Sequence, residues 1–196
     1  MDKKDSYMTK IDEKYKYVTT MNKLGYEIFS VSPVRVREKK KLQYYEIGAL
    51  NISDSGAIII KKNDKLKRFA NETSLNRQSL RVGDIVVPFR HVSKFGVIVE
   101  TPEITLVPNT SMIVIRTNSD IDAASLCTFL NQQFVLEHLF YLMRDSAKKQ
   151  LSVEMLSSLI IPELDRYATK EDLSIRIEIQ RHYDEIRRLS LSLSIY

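Results

Sequence analysis

The chain has 196 residues, 43% of them apolar, which is enough for one substantial hydrophobic core. Its 30 basic and 25 acidic side chains give a formal net charge of +5. The single cysteine excludes a disulfide framework and a cysteine-rich zinc module. The five glycines are too widely spaced for a dinucleotide fingerprint or a P-loop.

The longest uncharged stretch covers residues 123–136 and is interrupted by three amide side chains. A bilayer-spanning helix needs about 20 mainly apolar residues, so the sequence predicts no such helix. The first residues, MDKKD, are charged and lead into more charge, whereas a signal peptide continues into an apolar segment. We therefore expect a cytoplasmic protein.

The positive charge is concentrated in one part of the chain. Residues 33–100 hold fourteen basic and seven acidic side chains, a net charge of +7, while the rest of the chain carries −2. Such an uneven distribution is typical of a nucleic-acid-binding surface. A lysine-rich surface that only contacts solvent would give the same pattern, so charge alone leaves both interpretations open.

Residues 1–42 are mostly polar, and their only clear signal is an alternating tetrad at 34–37 that is typical of a strand. Residues 61–81 read KKNDKLKRFANETSLNRQSLR and are predicted to form one long polar loop. Short runs rich in β-branched and aromatic residues predict strands at 43–47, 57–60, 82–89, 95–100, 104–107 and 112–116.

Helical signals follow these strands. Asp120 or Asp122 can begin a helix that reaches about Met143, because apolar residues repeat along one face. Ser152 can cap a short helical turn, and residues 159–162 predict a closing strand.

Together the elements predict an α+β fold. A domain of small mixed or antiparallel strands is expected over residues 43–165, and residues 1–42 are left as an N-terminal extension of unclear role.

The C-terminal residues 166–196 have a different pattern. Apolar residues and one histidine are spaced 4, 3, 4, 3, 4, which predicts a long helix of the coiled-coil type that pairs with another helix. The alternative is that this helix packs against its own domain. The predicted dimer or partner-binding seam consists of Ile175, Ile179, His182, Ile186, Leu189 and Leu193.

No pattern of catalytic residues is evident in the sequence. The three histidines are more than forty residues apart and no cysteine stands near one, which argues against a metal site. A serine nucleophile would need an elbow such as Gly-x-Ser-x-Gly, which the sequence lacks. We therefore expect a binding protein and not an enzyme.

Two polar segments beside the predicted strands, residues 61–81 and 90–94, supply side chains that suit DNA. Arginine and lysine bind phosphates, arginine also pairs with guanine, and asparagine pairs with adenine. A solvated loop without a ligand is the alternative. The candidate phosphate-binding residues are Lys61, Lys62, Lys65, Lys67 and Arg68, and the further DNA-binding candidates are Asn76, Arg77, Arg90, His91 and Lys94.

Several segments resemble one family in a fixed order. Residues 80–87, LRVGDIVV, and the return strand KFGVIV resemble the "L-x-x-G-D-I-L … G-K-x-x-I-V" hairpin of target recognition domains. These domains belong to the specificity subunits of type I restriction-modification systems. Residues 107–116 resemble the "x-x-N-x-x-x-I-R" segment of this family, and residues 150–162 its closing element. The terminal heptad helix is similar to its spacer helix.

The resemblance implies a subunit that binds double-stranded DNA, reads one half of a split site and has no catalytic residues or cofactor of its own. It implies a partner methyltransferase subunit, which uses S-adenosylmethionine to methylate adenine, and in some complexes a restriction subunit. One domain and one helix correspond to a half-subunit, which is expected to form a homodimer through its helix. A stand-alone DNA-binding regulator or decoy, or a protein-interaction module, are the alternatives.

Overall fold

A computed structural model describes residues 3–15, 17–32, 42–54, 56–60, 66–69, 72–98 and 101–163. The tetrad at 34–37, Lys61, Lys62, Lys65 and the predicted C-terminal helix lie outside the described residues. All six seam residues from Ile175 to Leu193 are therefore outside them as well.

Runs of short, mainly antiparallel strands and a separate run of helices make up the described ranges, which confirms the α+β prediction. The helices are α1 (Lys3–Lys14), α2 (Glu72–Gln78), α3 (Asp120–Leu130), α4 (Gln133–Asp145) and α5 (Val153–Ser158). The strands are β1 (Val18–Thr20), β2 (Glu27–Ser30), β3 (Leu42–Ile47), β4 (Leu66–Phe69), β5 (Asp84–Pro88), β6 (Gly96–Val97), β7 (Leu106–Pro108), β8 (Met112–Arg116) and β9 (Ile160–Pro162).

The central sheet is antiparallel, with strand order β2-β8-β5-β6. All of β5 and most of β8 are buried, and their β-branched residues suit a strand that is covered on both faces. Successive side chains alternate between the faces, so Ile85 and Val87 contact the helices while Val86 contacts the second sheet.

The second sheet has strand order β4-β3-β7, with β3 antiparallel to β4 and parallel to β7. Ile47 is paired with Pro108 where β3 and β7 end. Residues 109–111 form a short turn from β7 into β8. This turn joins the second sheet to the central sheet.

The N-terminal residues form part of the same core, which gives a role to much of the predicted extension. Tyr7, Ile11 and Met21 are buried in one cluster with residues of α3 and α4. In addition, β1 pairs with β9 and β2 pairs with β8, so the N-terminal strands are held by the C-terminal half of the domain.

The prediction of one long loop at 61–81 was wrong, because this segment contains β4 and α2. Backbone pairing with β3 holds β4, and buried Leu75 packs α2 against Tyr44 and Val107. Leu75 therefore helps to anchor this short helix to β3 and β7.

The predicted single helix from Asp120 or Asp122 to Met143 is divided into α3 and α4. Ser119 caps α3 by accepting a hydrogen bond from the backbone N–H of Asp122. The break falls at Asn131, whose side chain bonds to the backbone of Phe95. Among the described residues, no helix is both long and apolar enough to cross a lipid bilayer.

Candidate nucleic-acid interface

Three strands end at one edge of the domain, and the loops that follow them contact one another. Ile47 is opposite Pro108, and Pro88 is opposite Met112. The backbone N–H of Phe89 donates to the carbonyl of Ser111 at 3.0 Å. We refer to residues 48–54, 89–94 and 109–111 together as the loop edge.

The loop after β3 is a fixed turn built around Asn51, which is buried. Its side-chain oxygen accepts from the backbone N–H of Gly48 at 2.9 Å, and its side-chain nitrogen donates to the carbonyl of Ile59 at 2.9 Å. The N–H of Ile59 donates back to the carbonyl of Asn51 at 2.7 Å. Leu50 precedes this anchor and is 78% exposed.

The loop after β7 contacts this turn closely. The N–H of Asn109 donates to the carbonyl of Ile47 at 2.8 Å, and the Asn109 side-chain oxygen accepts from the N–H of Ser111 at 3.0 Å. A Cβ atom on Gly48 would lie 2.7 Å from Nδ2 of Asn109, so a larger residue at this position would require the Asn109 side chain to shift.

The loop after β5 is anchored at both ends to the helical layer. At one end, the N–H of Leu151 donates to the carbonyl of Phe89 at 2.7 Å. At the other, Asn131 accepts from the N–H of Phe95 at 2.8 Å and donates to its carbonyl at 2.9 Å. Hydrogen bonds at Phe89 and Phe95 therefore hold both ends of the backbone segment that carries the residues between them.

The side chains predicted to bind DNA at this loop differ in their surroundings. Arg90 and His91 are exposed, and the Arg90 guanidinium lies 5.7 Å from the ring centre of Phe89. Lys94 is half-buried and forms an ion pair with Asp54. Lys94 thus links this loop to the loop after β3, and its charge is already offset.

The remaining predicted residues lie on other elements. Lys67 and Arg68 are on β4, opposite Tyr44 and Gln43 in the strand register. Asn76 and Arg77 are exposed on α2 and so form a second group.

The residues after α2 lie near the end of the central sheet that is opposite the loop edge. The guanidinium of Arg116 donates to the carbonyl of Ser79 at 3.3 Å, and Arg116 stands opposite Asp84 where β5 begins. The loop edge lies at the other end of β5. The predicted DNA-binding residues are therefore divided between two parts of the domain.

Two motif segments meet in a buried ion pair. Asp84 is 1% exposed and accepts from Nε and Nη2 of Arg116 at 2.9 and 2.8 Å, and from the N–H of Arg81 at 2.8 Å. Hydrogen bonding to Asp84 raises the pKa of Arg116, so this side chain stays charged. Gly83 has a φ of 87°, a conformation that favours glycine. These residues stabilise the frame of the sheet.

Within the described ranges, no three histidine, cysteine, aspartate or glutamate side chains are grouped so that they could hold a metal ion. The loop edge carries basic, amide and hydroxyl side chains and one carboxylate, Asp54, which is paired with Lys94. Basic, amide and hydroxyl groups suit binding to an anionic polymer.

No protein-family model matches the sequence, and no curated protein matches it. Solved structures do match the fold. The S subunit of a type I restriction-modification system from M. genitalium aligns with a TM-score of 0.53 and 11% identity, over 97% of this chain and 46% of that one. The HsdS subunit from Thermoanaerobacter tengcongensis aligns with a TM-score of 0.51 and 14% identity, over 96% and 45%. The chain has the fold of type I S subunits.

This result confirms, at the level of fold, the resemblance that the sequence motifs indicated. The chain spans about half the length of the S subunits it matches. The type IIG restriction endonuclease BpuSI also matches, with a TM-score of 0.54 and 12% identity, over 92% of this chain and 28% of that enzyme. The same fold therefore also forms part of a larger restriction enzyme.

Proposed function

We propose that this chain is a DNA-recognition subunit with one target recognition domain, which directs a partner methyltransferase of a type I-like restriction-modification system to its site. The observation that carries the proposal is the S-subunit fold over nearly the whole chain. The net charge of +7 on residues 33–100 supports it, because phosphate neutralisation dominates DNA affinity.

The loop edge suits DNA because its exposed arginine and histidine side chains are held on an anchored backbone. Arg90 and His91 lie between the anchors at Phe89 and Phe95. Little conformational entropy is then lost when they bind, which favours both affinity and selectivity. We assign phosphate or base contacts to Arg90 and His91, and base contacts to Asn76 and Arg77 on α2. Lys94 could bind a DNA phosphate only after its ion pair with Asp54 is broken.

The partners follow from the same proposal. The adenine methyltransferase and its S-adenosylmethionine would be supplied by another subunit, and this chain would be non-catalytic. Because the chain covers 46% of an S subunit, two copies would provide two recognition domains. We propose that they pair through the heptad helix at residues 166–196, as the seam pattern predicts.

The test is selection of duplexes from a random library by the full chain, followed by titration of the enriched duplex at several salt concentrations. The Arg90→Gln variant should bind more weakly, and the slope of log affinity against log salt should fall by about 0.9 for one lost phosphate contact. Arg144→Gln is the matched control, because Arg144 is an exposed arginine on α4.

Enrichment of one sequence, with the slope changed by Arg90→Gln and unchanged by Arg144→Gln, supports the proposal. If the wild-type chain enriches no sequence, the proposed recognition role is wrong. If both arginine variants reduce the slope equally, DNA is bound through general surface charge and the loop edge is not the interface.

A further inference from the structure

Leu50 is the most exposed large apolar residue in the described part of the chain, at 78%. A single exposed leucine is common on protein surfaces and does not by itself indicate a ligand. The position of Leu50 makes it a candidate for binding. It lies on a hydrogen-bonded turn, and this turn belongs to the loop edge.

The turn holds Leu50 in place through short-range hydrogen bonds. The N–H of Asn51 donates to the carbonyl of Gly48 at 2.9 Å, and the N–H of Ile52 donates to the carbonyl of Ala49 at 3.2 Å. The buried side chain of Asn51 connects this turn to Ile59. The leucine is therefore projected from a rigid support into solvent.

An ion pair links this turn to a loop that carries an exposed arginine. Asp54, four residues after Leu50, is neutralised by Lys94, and Lys94 belongs to the same loop as exposed Arg90 and His91. An apolar side chain on a turn linked to a loop with an exposed arginine suits the major groove of DNA, where the C5-methyl groups of thymine lie between the phosphate chains.

We propose that Leu50 is a base-contacting residue, which packs its apolar side chain against base pairs in the groove of DNA bound at the loop edge. This inference rests on the proposed function and adds a specificity-determining residue to it. Apolar contact removes leucine surface from water without neutralising a phosphate. Leu50 should therefore contribute to affinity in a way that does not depend on salt.

The experiment uses the full chain, the duplex enriched by the wild type and a duplex of scrambled sequence. Leu50→Ala should reduce affinity for the enriched duplex about tenfold, as expected for partial loss of a buried leucine contact. It should change affinity for the scrambled duplex less than twofold, and it should leave the salt slope unchanged. Leu50→Gln should behave like Leu50→Ala, whereas Leu50→Met should retain most of the affinity.

Phe140→Ala is the matched control, because Phe140 is 67% exposed on α4 and should not affect DNA binding. If the wild type enriches a sequence and Leu50→Ala or Leu50→Gln binds it as tightly as the wild type, the inference about Leu50 is wrong while the proposed function stands. An equal loss on both duplexes, or a reduced salt slope, also overturns it. If the wild type enriches no sequence, both the inference and the proposed function are wrong.

Discussion

Asp84 and Arg116 stand directly opposite each other on β5 and β8 and form a two-pronged ion pair with N–O distances of 2.9 and 2.8 Å. Asp84 belongs to the Gly-Asp-Ile segment and Arg116 ends the Asn-to-Ile-Arg segment. The two sequence motifs that contain Asp84 and Arg116 are thus parts of one structural unit. The motif order therefore reflects the fold of the central sheet.

Replacing Asp84 by alanine should strongly destabilise the protein. Arg116 has only 17% of its side chain exposed, so it would be left partly buried without its main partner. Loss of one member of a buried pair typically costs about 3–5 kcal/mol of unfolding free energy. The measurement is urea unfolding of the full chain.

Glu27→Gln provides the control for this prediction. Glu27 is 66% exposed and its carboxylate is 3.8 Å from the same guanidinium, so its removal should cost less than about 1 kcal/mol. A loss below about 1 kcal/mol for Asp84→Ala as well would show that the buried pair does not stabilise the sheet.

The sequence predicts those elements whose signals are local. The β-branched runs of β5 and β8 predict buried strands, because such side chains fit a pleated surface covered on both faces. Ser152 predicts the start of α5, since its hydroxyl accepts from the N–H of Met155 as a helix cap does.

Elements held by distant partners were not predictable in the same way. The apolar period of α1 is poor, yet Tyr7 stacks on His138 with ring centres 3.9 Å apart, across 131 residues of sequence. Likewise, α2 depends on Leu75 packing against two strands. Such tertiary contacts override local propensity.

The candidate site was predictable by residue type but not by arrangement. Charge and loop position identify Arg90 and His91 as candidates. The pairing of Lys94 with Asp54 could not be inferred, because it depends on how two loops fold against each other. Leu50 was missed because an apolar residue in a turn gives no signal of its own exposure.

Alkaline pH should destabilise the protein through Cys127. Burial raises the pKa of this thiol to about 12, and the hydrogen bond from Asn131 opposes that rise. The folded state therefore holds the proton more tightly than the unfolded state. The contribution to stability is full below about pH 9 and is lost as pH rises toward 12.

Urea unfolding at pH 8 and pH 10.5 would measure this effect. The Cys127→Ala variant should lose less stability between the two values than the wild type does. A residual decline is expected, because burial and Asp122 also raise the pKa of Tyr26 to about 12. Equal losses for wild type and variant would contradict the assignment to Cys127.

The anchor of the cationic loop should depend on Asn131. Asn131→Ala removes both hydrogen bonds to Phe95, whose backbone groups are buried. The Phe95 N–H would lose its Asn131 partner, and the carbonyl would keep only the weak 3.5 Å bond from Sγ of Cys127, which should cost about 1–3 kcal/mol of unfolding free energy. Because the loop holding Arg90 would also be released, affinity for an enriched duplex should fall more than stability alone requires.

Asn118→Ala is the matched control, since Asn118 makes one exposed hydrogen bond to the carbonyl of Leu24. It should cost about 0.5 kcal/mol or less and leave DNA binding unchanged. Equal effects of the two substitutions on DNA binding would separate Asn131 from the proposed interface.

Self-association through the C-terminal heptad remains a prediction from the sequence. The seam includes Ile179, His182 and Ile186, and Ile179→Asp/Ile186→Asp should make the chain monomeric by placing charge at the paired surface. Ile177→Asp/Leu191→Asp is the control, because these positions fall on the opposite side of a heptad helix.

Protonation of His182 would also charge the seam, so association should weaken as pH falls through about 6.5. Sedimentation across pH 5.5 to 7.5 measures both effects, and a monomeric wild type at every pH would contradict pairing of two copies.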